Sequence, residues 1–485
     1  MDIPIDNMFL VLHICAAIAM AIRLIYRKLN VSMTLAWILL ILFLPIAGFV
    51  LYWLFGSHKL SRNRRNLGDR MRKHYIEAYG QTEDALDSKD IDASEDFGDL
   101  ARAIETMTGF APMQGNKIKL LDGDEAIFES FLKDIAAAEK TVFAEFYIID
   151  PKGLPVKVLE GFEAAARRGV DVKVLADAFG SRPFFKSDWP DRLRSAGVDV
   201  VHSLSVNIVK SISKRTDLRN HRKILVIDQN IGYIGSCNLT DPELFKPDDG
   251  MWVDLMARIE GPFAESLSAV LAADFLYDKV GADFTDSDLK IFPPDSIHPR
   301  TRGPATAQLI PSGPEMSQSV IYEVLVATIF SANRSIRITT PYFVPDEAVM
   351  LALTNAARRG LNVEIIVPAE VDSIMVRHAS RSAYDDLLKA GVKVGHFHGG
   401  MLHTKSLVID DDVSLVGTVN MDMRSFHLNL EVTMIVYDDT FNEQLNAILD
   451  GYVEDVEWLD PDKWAMRGRW QRFKENTFRL ASPLL

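Results

Sequence analysis

Two copies of one stretch decide the fold of this chain: HRKILVID at residues 221–228 and HTKSLVID at residues 403–410. Both copies follow the pattern H-x-K-x4-D, and the apolar run after the lysine is typical of a buried strand. Side chains two residues apart on a strand share a face, so the histidine and the lysine of each copy are predicted to point the same way. An imidazole and an ammonium group would then meet in one pocket.

The sequence around the two copies repeats as well. GSCN at residues 235–238 follows the first copy, and GTVN at 417–420 follows the second at the same spacing. Upstream, AARRG at 165–169 and at 356–360 closes a predicted helix with glycine before a predicted strand. Strands that alternate with helices indicate an α/β fold with mixed sheets. We therefore predict two duplicated α/β sandwich halves that share one active site.

This double motif resembles the phospholipase D superfamily, whose members bring two such motifs together across a pseudo-twofold axis. The resemblance covers nearly all of the chain after about Gly115. A closer similarity is to the bacterial cardiolipin synthases, on TPYFVP at 340–345 and GTVNMDMRS at 417–425. An N-terminal membrane hairpin, which soluble nucleases and secreted phospholipases of the superfamily lack, adds to that similarity. The resemblance implies two phospholipase D-like halves behind such a hairpin.

The composition limits the kinds of molecule that this chain is expected to bind. The formal net charge of -14 argues against a surface that binds polyanions, so we expect no nucleic acid partner. Two cysteines, Cys15 and Cys237, give no disulfide framework and no metal-ligand spacing. No cluster of carboxylates and histidines with metal spacing accompanies the motifs. We therefore predict a site that works without a metal and without a cofactor.

The N-terminus carries two apolar runs, at residues 8–22 and 31–55, and the second is long enough to cross a bilayer with some tilt. A cleaved signal peptide is the alternative for the first run, but Asp2 and Asp6 give it the wrong flanking charge. Basic residues are denser after the second run than between the two. We predict a transmembrane hairpin over residues 1–56, in the bacterial inner membrane by the resemblance, with the catalytic part on the cytoplasmic side.

We predict four segments in all. After the hairpin come a basic juxtamembrane segment and an acidic linker at 57–110, a first phospholipase D-like domain at 111–295, and a second at 296–485. An insertion at 204–220 mixes apolar and basic residues, which suits a membrane interface or an ordinary surface loop. The aromatic and basic tail at 464–485 suits an interfacial helix, with a helix that only closes the second domain as the alternative.

The motif residues predict phosphodiester chemistry. A phosphodiester is anionic, so a site that cleaves it needs fixed positive charge, which Lys223 and Lys405 can supply. Asn238 and Asn420 could add hydrogen bonds to the same phosphate oxygens. One imidazole can attack phosphorus while the other passes a proton to the leaving alkoxide. The residues alone do not say which histidine attacks.

The resemblance assigns His221 as nucleophile and His403 as general acid and base. It also implies a carboxylate partner for each histidine, downstream of the motif, and Asp254 and Glu431 are the candidates. Asp228 and Asp410 complete the catalytic motifs, where we favour a structural part for them, bonding the turn after their strand.

The resemblance further implies a phosphatidyltransferase. One phosphatidylglycerol would give its phosphatidyl group to another through a phosphohistidine, producing cardiolipin and glycerol, with both lipids and anionic membrane lipids as partners. A phospholipase D that uses water, or a transferase that uses another alcohol, is the nearest alternative. A nuclease and an inactive lipid-binding scaffold are more distant ones. The sequence leaves the oligomeric state open.

Overall fold

This computed structural model describes residues 5–27, 31–56, 70, 95–204, 218–280, 303–314, 316, 319–480 and 482. The chain divides into one compact unit of residues 1–60 with 206–218 and another of residues 61–205 with 219–485. Most of the predicted basic segment, the acidic residues up to 94, most of the 204–220 insertion and residues 281–302 between the halves lie outside the described residues.

The described residues of the N-terminal unit form three helices: α1 (Ile5–Tyr26), α2 (Val31–Phe43) and α3 (Ala47–Phe55). The second apolar run is thus not the single helix that we expected. Pro45 separates α2 from α3 because proline lacks an N–H and its ring clashes with the preceding turn. Leu24, Ile41 and Tyr52 pack together in this unit. Within the residues that the structure describes, no helix combines the length and the apolar content needed to cross a bilayer.

From residue 95 onward, the larger unit has a helix followed by a first α/β half. In chain order the elements are α4 (Glu95–Thr108), β1 (Met113–Asp122), α5 (Asp124–Ala137), β2 (Thr141–Phe146), α6 (Leu154–Arg167), β3 (Asp171–Asp177), α7 (Arg182–Lys186), α8 (Trp189–Ser195), β4 (Asp199–Ser203), β5 (Lys223–Ile227), β6 (Ile231–Gly235), β7 (Trp252–Val253), β8 (Leu255–Glu260) and α9 (Phe263–Val280).

The second half repeats this succession. Its elements are β9 (Ala305–Ser312), α10 (Val320–Ser331), β10 (Ser335–Thr339), β11 (Phe343–Val344), α11 (Glu347–Arg358), β12 (Asn362–Pro368), α12 (Ile374–Ala390), β13 (Lys393–Phe397), β14 (Met401–Leu402), β15 (Ser406–Ile409), β16 (Val413–Gly417), β17 (Met421–Asp422), α13 (Met423–His427), β18 (Glu431–Tyr437), α14 (Asp439–Val453), β19 (Val456–Trp458), α15 (Pro461–Ala465) and α16 (Arg469–Arg479).

One mixed sheet of 15 strands runs through both halves, in the order β19-β13-β12-β10-β15-β16-β18-β9-β1-β8-β6-β5-β2-β3-β4. The two strand orders mirror each other about the junction between β9 and β1, which pair antiparallel. Helices cover the apolar faces of the sheet. The duplicated α/β prediction is confirmed, and the two halves form one continuous sheet.

We predicted a linker up to residue 110, and this is wrong for residues 95–108, which form helix α4. Phe97, Leu100 and Ile104 are buried and pack against Val324 and Leu325 of α10, so α4 belongs to the core of the second half. The acidic composition of this segment hid three apolar residues at helical spacing. That spacing gives the helix one buried face.

Two short backbone pairings connect the halves at the centre. Asn220, just ahead of the first motif, pairs parallel with Leu430 of the second half. In the reciprocal place, β14 ahead of the second motif pairs parallel with β7 of the first half. Each motif is therefore held by the backbone of the opposite half.

Candidate active site

Each histidine lies just ahead of its buried strand. Strand β5 begins at Lys223 and β15 begins at Ser406, so His221 and His403 precede the paired segments that we expected to contain them. In both copies the lysine Nζ donates to the backbone oxygen of the histidine two residues earlier, at 2.7 Å. The duplicated sequence thus produces a duplicated local geometry.

The carboxylate partner of each histidine comes from the opposite half. His221 Nδ1 lies 2.9 Å from Glu431 Oε2, and His403 Nδ1 lies 2.6 Å from Asp254 Oδ1. All four side chains are buried. The site therefore consists of two crossed imidazole–carboxylate pairs.

Backbone pairing between the halves produces this crossing. The His221 N–H donates to Leu430 O, directly before Glu431, and the His403 N–H donates to Val253 O, directly before Asp254. Hydrogen bonds of 2.9 Å at both places fix the distance between each histidine and the next residue of the opposite half. Neither pair can form unless the halves dock in this register.

The middle residue of each motif faces away from the pocket and fastens the two halves together. Arg222 donates from Nε to Glu431 O at 3.0 Å and also pairs with Asp274. Thr404 Oγ1 lies 3.3 Å from Val253 O. Alternation along the chain thus directs histidine and lysine to the site and the residue between them to the opposite half.

A hydroxyl ahead of each asparagine supports the carboxylate. Ser236 Oγ donates to Asp254 Oδ1 at 2.5 Å, and Thr418 Oγ1 donates to Glu431 Oε2 at 2.6 Å. Asn429 Nδ2 donates to the other oxygen of Glu431 at 3.1 Å. Our sequence reasoning missed Ser236 and Thr418, although their matched positions in GSCN and GTVN were a usable signal.

The glycine of each of these tetrads is required by close packing. A Cβ at Gly235 would collide with Leu255 O, and one at Gly417 would collide with Val432 O. Strand β8, after Asp254, runs directly against Gly235, and strand β18, which begins at Glu431, runs directly against Gly417. Only a residue without a side chain lets the two strands approach this closely.

Burial dominates the protonation of the two imidazoles. The pKa of His221 and of His403 is lowered to about 4, with burial as the largest cause, the neighbouring lysines acting in the same direction and the carboxylates acting against it. Both resting imidazoles are therefore neutral near pH 7. Nδ1 then carries the hydrogen that its carboxylate accepts, and Nε2 keeps its lone pair.

The charged partners respond to the same surroundings. Burial acts to raise the pKa of Asp254 and of Glu431, but the adjacent histidine and lysine outweigh it and lower both. Burial lowers the pKa of Lys223 to about 8 and that of Lys405 well below its usual range. The two ammonium groups lose hydration here, so an anion placed between them would stabilise both.

The two asparagines predicted to bind phosphate are buried beside the motifs. Asn238 Oδ1 accepts from the Ile148 N–H at 3.2 Å. Asn420 hydrogen-bonds Asp422, and its Oδ1 has no partner among the residues that the structure describes. The structure thus gives both amides a structural contact and leaves Asn420 Oδ1, a hydrogen-bond acceptor, unpaired among the described residues.

The motif aspartates lie at the far ends of their strands, away from both histidines. Asp228 accepts from the N–H groups of residues 139–141, and Asp410 accepts from those of residues 333–335. We expected them to bond the turn after their own strand. Instead each binds the turn that leads into the adjacent strand, because three backbone N–H groups converge there. Both aspartates therefore make structural contacts, at a different turn from the one that we expected.

Two aromatic rings complete the walls of the site. The Tyr147 ring lies 5.0 Å from the His221 ring and 5.5 Å from Lys223 Nζ. The Trp252 ring lies 4.5 Å from the His403 ring. We did not single out Trp252 from the sequence. Each imidazole is thus held between a carboxylate and an aromatic face.

A group that the sequence did not reveal adjoins the second pair. Asp124, Cys237 and Asp254 bring potential metal-ligand atoms within 4.8 Å of one another. Burial and the Asp254 charge raise the pKa of Asp124 to about 8, and burial raises that of the Cys237 thiol well above its usual range. Asp124 and the Cys237 thiol are therefore protonated near pH 7 in the empty site.

The crossed pairs on a duplicated sheet define a phospholipase D-like enzyme. A solved structure of phosphatidylserine synthase from Haemophilus influenzae supports this fold, with a TM-score of 0.58 at 15% identity, over 80% of this chain and 100% of that one. Residues 131–270 and 325–453 match the family described as "Cardiolipin synthase, PLD-like domain". Residues 15–57 match the phospholipase D-nuclease N-terminal family.

Curated relatives are similar in sequence to almost the whole chain. Cardiolipin synthase A of Yersinia pseudotuberculosis is 38% identical over 469 residues, covering 96% of this chain and 95% of the relative. Cardiolipin synthase A of Erwinia tasmaniensis is 38% identical over 474 residues, with the same coverage. The chain belongs to the cardiolipin synthase family. It is a phosphatidyltransferase of the phospholipase D type.

Proposed function

We propose that this chain transfers the phosphatidyl group of one phosphatidylglycerol to a second, producing cardiolipin and glycerol. The crossed pairs, His221 with Glu431 and His403 with Asp254, carry this proposal. A two-step displacement needs one imidazole to form a bond to phosphorus and another to move a proton. The pairs supply both, each with Nδ1 fixed and Nε2 left to react.

In the first step His221 Nε2 attacks phosphorus, and the bond from phosphorus to the glycerol oxygen breaks. His403, protonated in the complex, gives its Nε2 proton to that oxygen, so neutral glycerol leaves. Binding of the anionic phosphodiester raises the pKa of His403 from the low value of the empty site, because negative charge favours the imidazolium. Asp254 stabilises the same form through Nδ1.

In the second step a hydroxyl of another phosphatidylglycerol attacks the phosphorus of phosphatidyl-His221. His403 Nε2 accepts the hydroxyl proton as the bond between phosphorus and nitrogen breaks. Cardiolipin leaves, and both imidazoles return to their starting states. One phosphodiester replaces a similar one, so the equilibrium constant lies within about tenfold of unity, or roughly 1.4 kcal/mol.

Lys223 and Lys405 serve both steps by balancing the charge on the phosphoryl oxygens. Charge that develops on these oxygens in the transition state is stabilised by donors already in position. Asn238 and Asn420 extend this set of donors. Asp228 and Asp410 contribute by holding the strands that present the lysines.

The test is purified protein incubated with phosphatidylglycerol alone, followed by lipid analysis. We expect cardiolipin and glycerol in equal amounts without added nucleotide, and excess glycerol should return cardiolipin to phosphatidylglycerol. His403→Ala serves as the matched inactive control. Phosphatidic acid as the main product, unaffected by glycerol, would contradict the transferase.

No single described helix has the length and apolar content to cross a bilayer. We further propose that the two apolar runs anchor the chain in the bacterial inner membrane by crossing it twice, the second run as α2 and α3 together, with the catalytic halves on the cytoplasmic side. The apolar runs and the basic residues after the second run support this arrangement. Anionic membrane lipids would then be its neighbours, and nucleic acid would not. A reporter after Leu485 should behave as cytoplasmic and one at Asn30 as external. Both reporters on one side would refute the hairpin.

A further inference from the structure

Five large apolar side chains are exposed in the catalytic unit, three on two loops and two at the start of α12 after a third loop, and we call them the apolar rim. Their exposed fractions are 59% for Phe179, 53% for Leu244, 55% for Met251, 65% for Ile374 and 40% for Met375. Outside the N-terminal helices and the segment after β19, the other two such residues in the described chain are Phe330 and Leu351. An exposed apolar cluster of this kind marks an interaction surface.

The first loop of the rim covers His221. Asp177 accepts from the Phe179 N–H and from the N–H of Asn220, the neighbour of His221, at 2.9 Å each. Next to Phe179, Gly180 packs so closely on Tyr147 that a Cβ there would overlap the tyrosine ring. Phe179 is thus the neighbour in sequence of the residue that packs on Tyr147, and the Tyr147 ring lies beside His221.

The second loop covers His403. Met251 directly precedes Trp252, whose ring lies 4.5 Å from that of His403. Phe245, next to Leu244, packs its ring 5.2 Å from the same tryptophan. Leu244 and Met251 therefore flank the outer side of the wall over the second imidazole.

The third loop joins the second across the two halves. Asp372, two residues before Ile374, accepts from Lys246 Nζ and from Tyr342 Oη, each at 2.6 Å. Lys246 also lies 5.7 Å from the Trp252 ring. The second and third loops thus meet beside Trp252, whose ring lies over His403, while the first loop packs on Tyr147 beside His221.

Helix α16 continues this surface and supplies positive charge. Phe478 stacks on His378, one turn along α12 from Ile374, at 5.0 Å between ring centroids. Trp470 and Phe473 stack on each other and are exposed. Exposed basic residues lie among these rings: Arg469, Lys474 and Arg479. Apolar rings beside basic side chains match the chemistry of an anionic lipid surface.

We propose that the apolar rim and α16 rest on a bilayer that contains anionic phospholipids, so that lipid substrates enter the site without leaving the membrane. The inference rests on the proposed function and specifies how its substrate arrives. His221 and His403 are 8% and 4% exposed. The phosphodiester of a lipid must reach these side chains while its acyl chains stay in apolar surroundings, which brings the rim against the bilayer.

The test places a nitroxide label on the rim of the full-length protein, reconstituted in vesicles of phosphatidylglycerol and phosphatidylethanolamine. Phe179→Cys and Ile374→Cys carry the label in a Cys15→Ser background, and Leu351→Cys is the control of matched exposure. We expect both rim labels to collide more with lipid-soluble oxygen than with a water-soluble nickel complex, and the control to show the reverse. Rim labels as accessible to nickel as the control would overturn the proposal, as would spin coupling between rim labels of two copies.

Enzyme activity on vesicles provides a second test of the proposal. The pair Phe179→Gln with Ile374→Gln should lower kcat/KM on the same vesicles about tenfold, since partial burial of two such side chains is lost. The pair Phe330→Gln with Leu351→Gln should match the unchanged protein. Equal activity of the two double variants would overturn the proposal that the apolar rim rests on the bilayer. Labels in the bilayer without cardiolipin formation would instead contradict the proposed function and leave the rim standing.

Discussion

The crossed pairs predict that Glu431→Gln slows the enzyme far more than it destabilises the fold. The carboxylate accepts from His221 Nδ1, Thr418 Oγ1 and Asn429 Nδ2, and glutamine of similar shape keeps part of this network. The substitution removes the negative charge that makes the His221 imidazole more basic. A hydrogen bond to a charged group contributes about 1.5–3 kcal/mol.

That range corresponds to a loss in kcat of about 10- to 150-fold, since about 1.4 kcal/mol is tenfold in rate. The assay is release of glycerol from phosphatidylglycerol in mixed micelles, with Tm measured in parallel. Asp254→Asn is the matched control, because it acts on the proton of the leaving group. A lipid substrate with an activated leaving group should restore Asp254→Asn and leave Glu431→Gln slow. Equal restoration of both, or a Glu431→Gln rate within twofold of the unchanged protein, would refute the assignment.

Three further predictions concern pH, stability and metals. The value of kcat/KM should fall as pH drops through about 4, where His221 gains a proton, and should fall again as pH rises, because His403 must carry a proton in the complex; a His403→Ala variant that keeps the same alkaline limb on a substrate with an activated leaving group would contradict this origin. Asp410→Asn should lower the free energy of unfolding by roughly 2–4 kcal/mol in urea titrations, because three backbone N–H groups lose a charged acceptor; an unchanged midpoint would refute the structural role. EDTA should leave cardiolipin formation in place, and complete loss restored by one specific divalent ion would show that a metal takes part.

The repeated motif predicted much of the fold because it constrains structure at short range. Apolar runs after each lysine form buried strands, and the duplicated segments around them form matching halves. The same local logic failed at residues 31–55, where Pro45 interrupts a run of suitable length, and at α4, where acidic residues obscure a buried face. In the first case a single proline breaks a run whose apolar composition indicates one long helix. In the second, three apolar residues lie in a segment whose acidic composition indicates a linker.

The crossed pairing could not be read from the sequence, because it depends on how the halves dock. Asp254 is closer along the chain to His221 than to His403, yet it binds His403, and Glu431 binds the more distant His221. Only the tertiary pairings at Asn220 and at β14 set this exchange. The group of Asp124, Cys237 and Asp254 likewise joins residues that no spacing rule connects.

The most direct test of the central claim is the position of the covalent intermediate. His403→Ala, incubated with a phosphatidyl ester of an activated leaving group and quenched at alkaline pH to preserve a bond between phosphorus and nitrogen, is digested and mapped by mass spectrometry. The phosphatidyl group should be found on His221, and His221→Ala should carry none. A label on His403 in the His221→Ala protein, or on a serine or cysteine in either variant, would contradict the account.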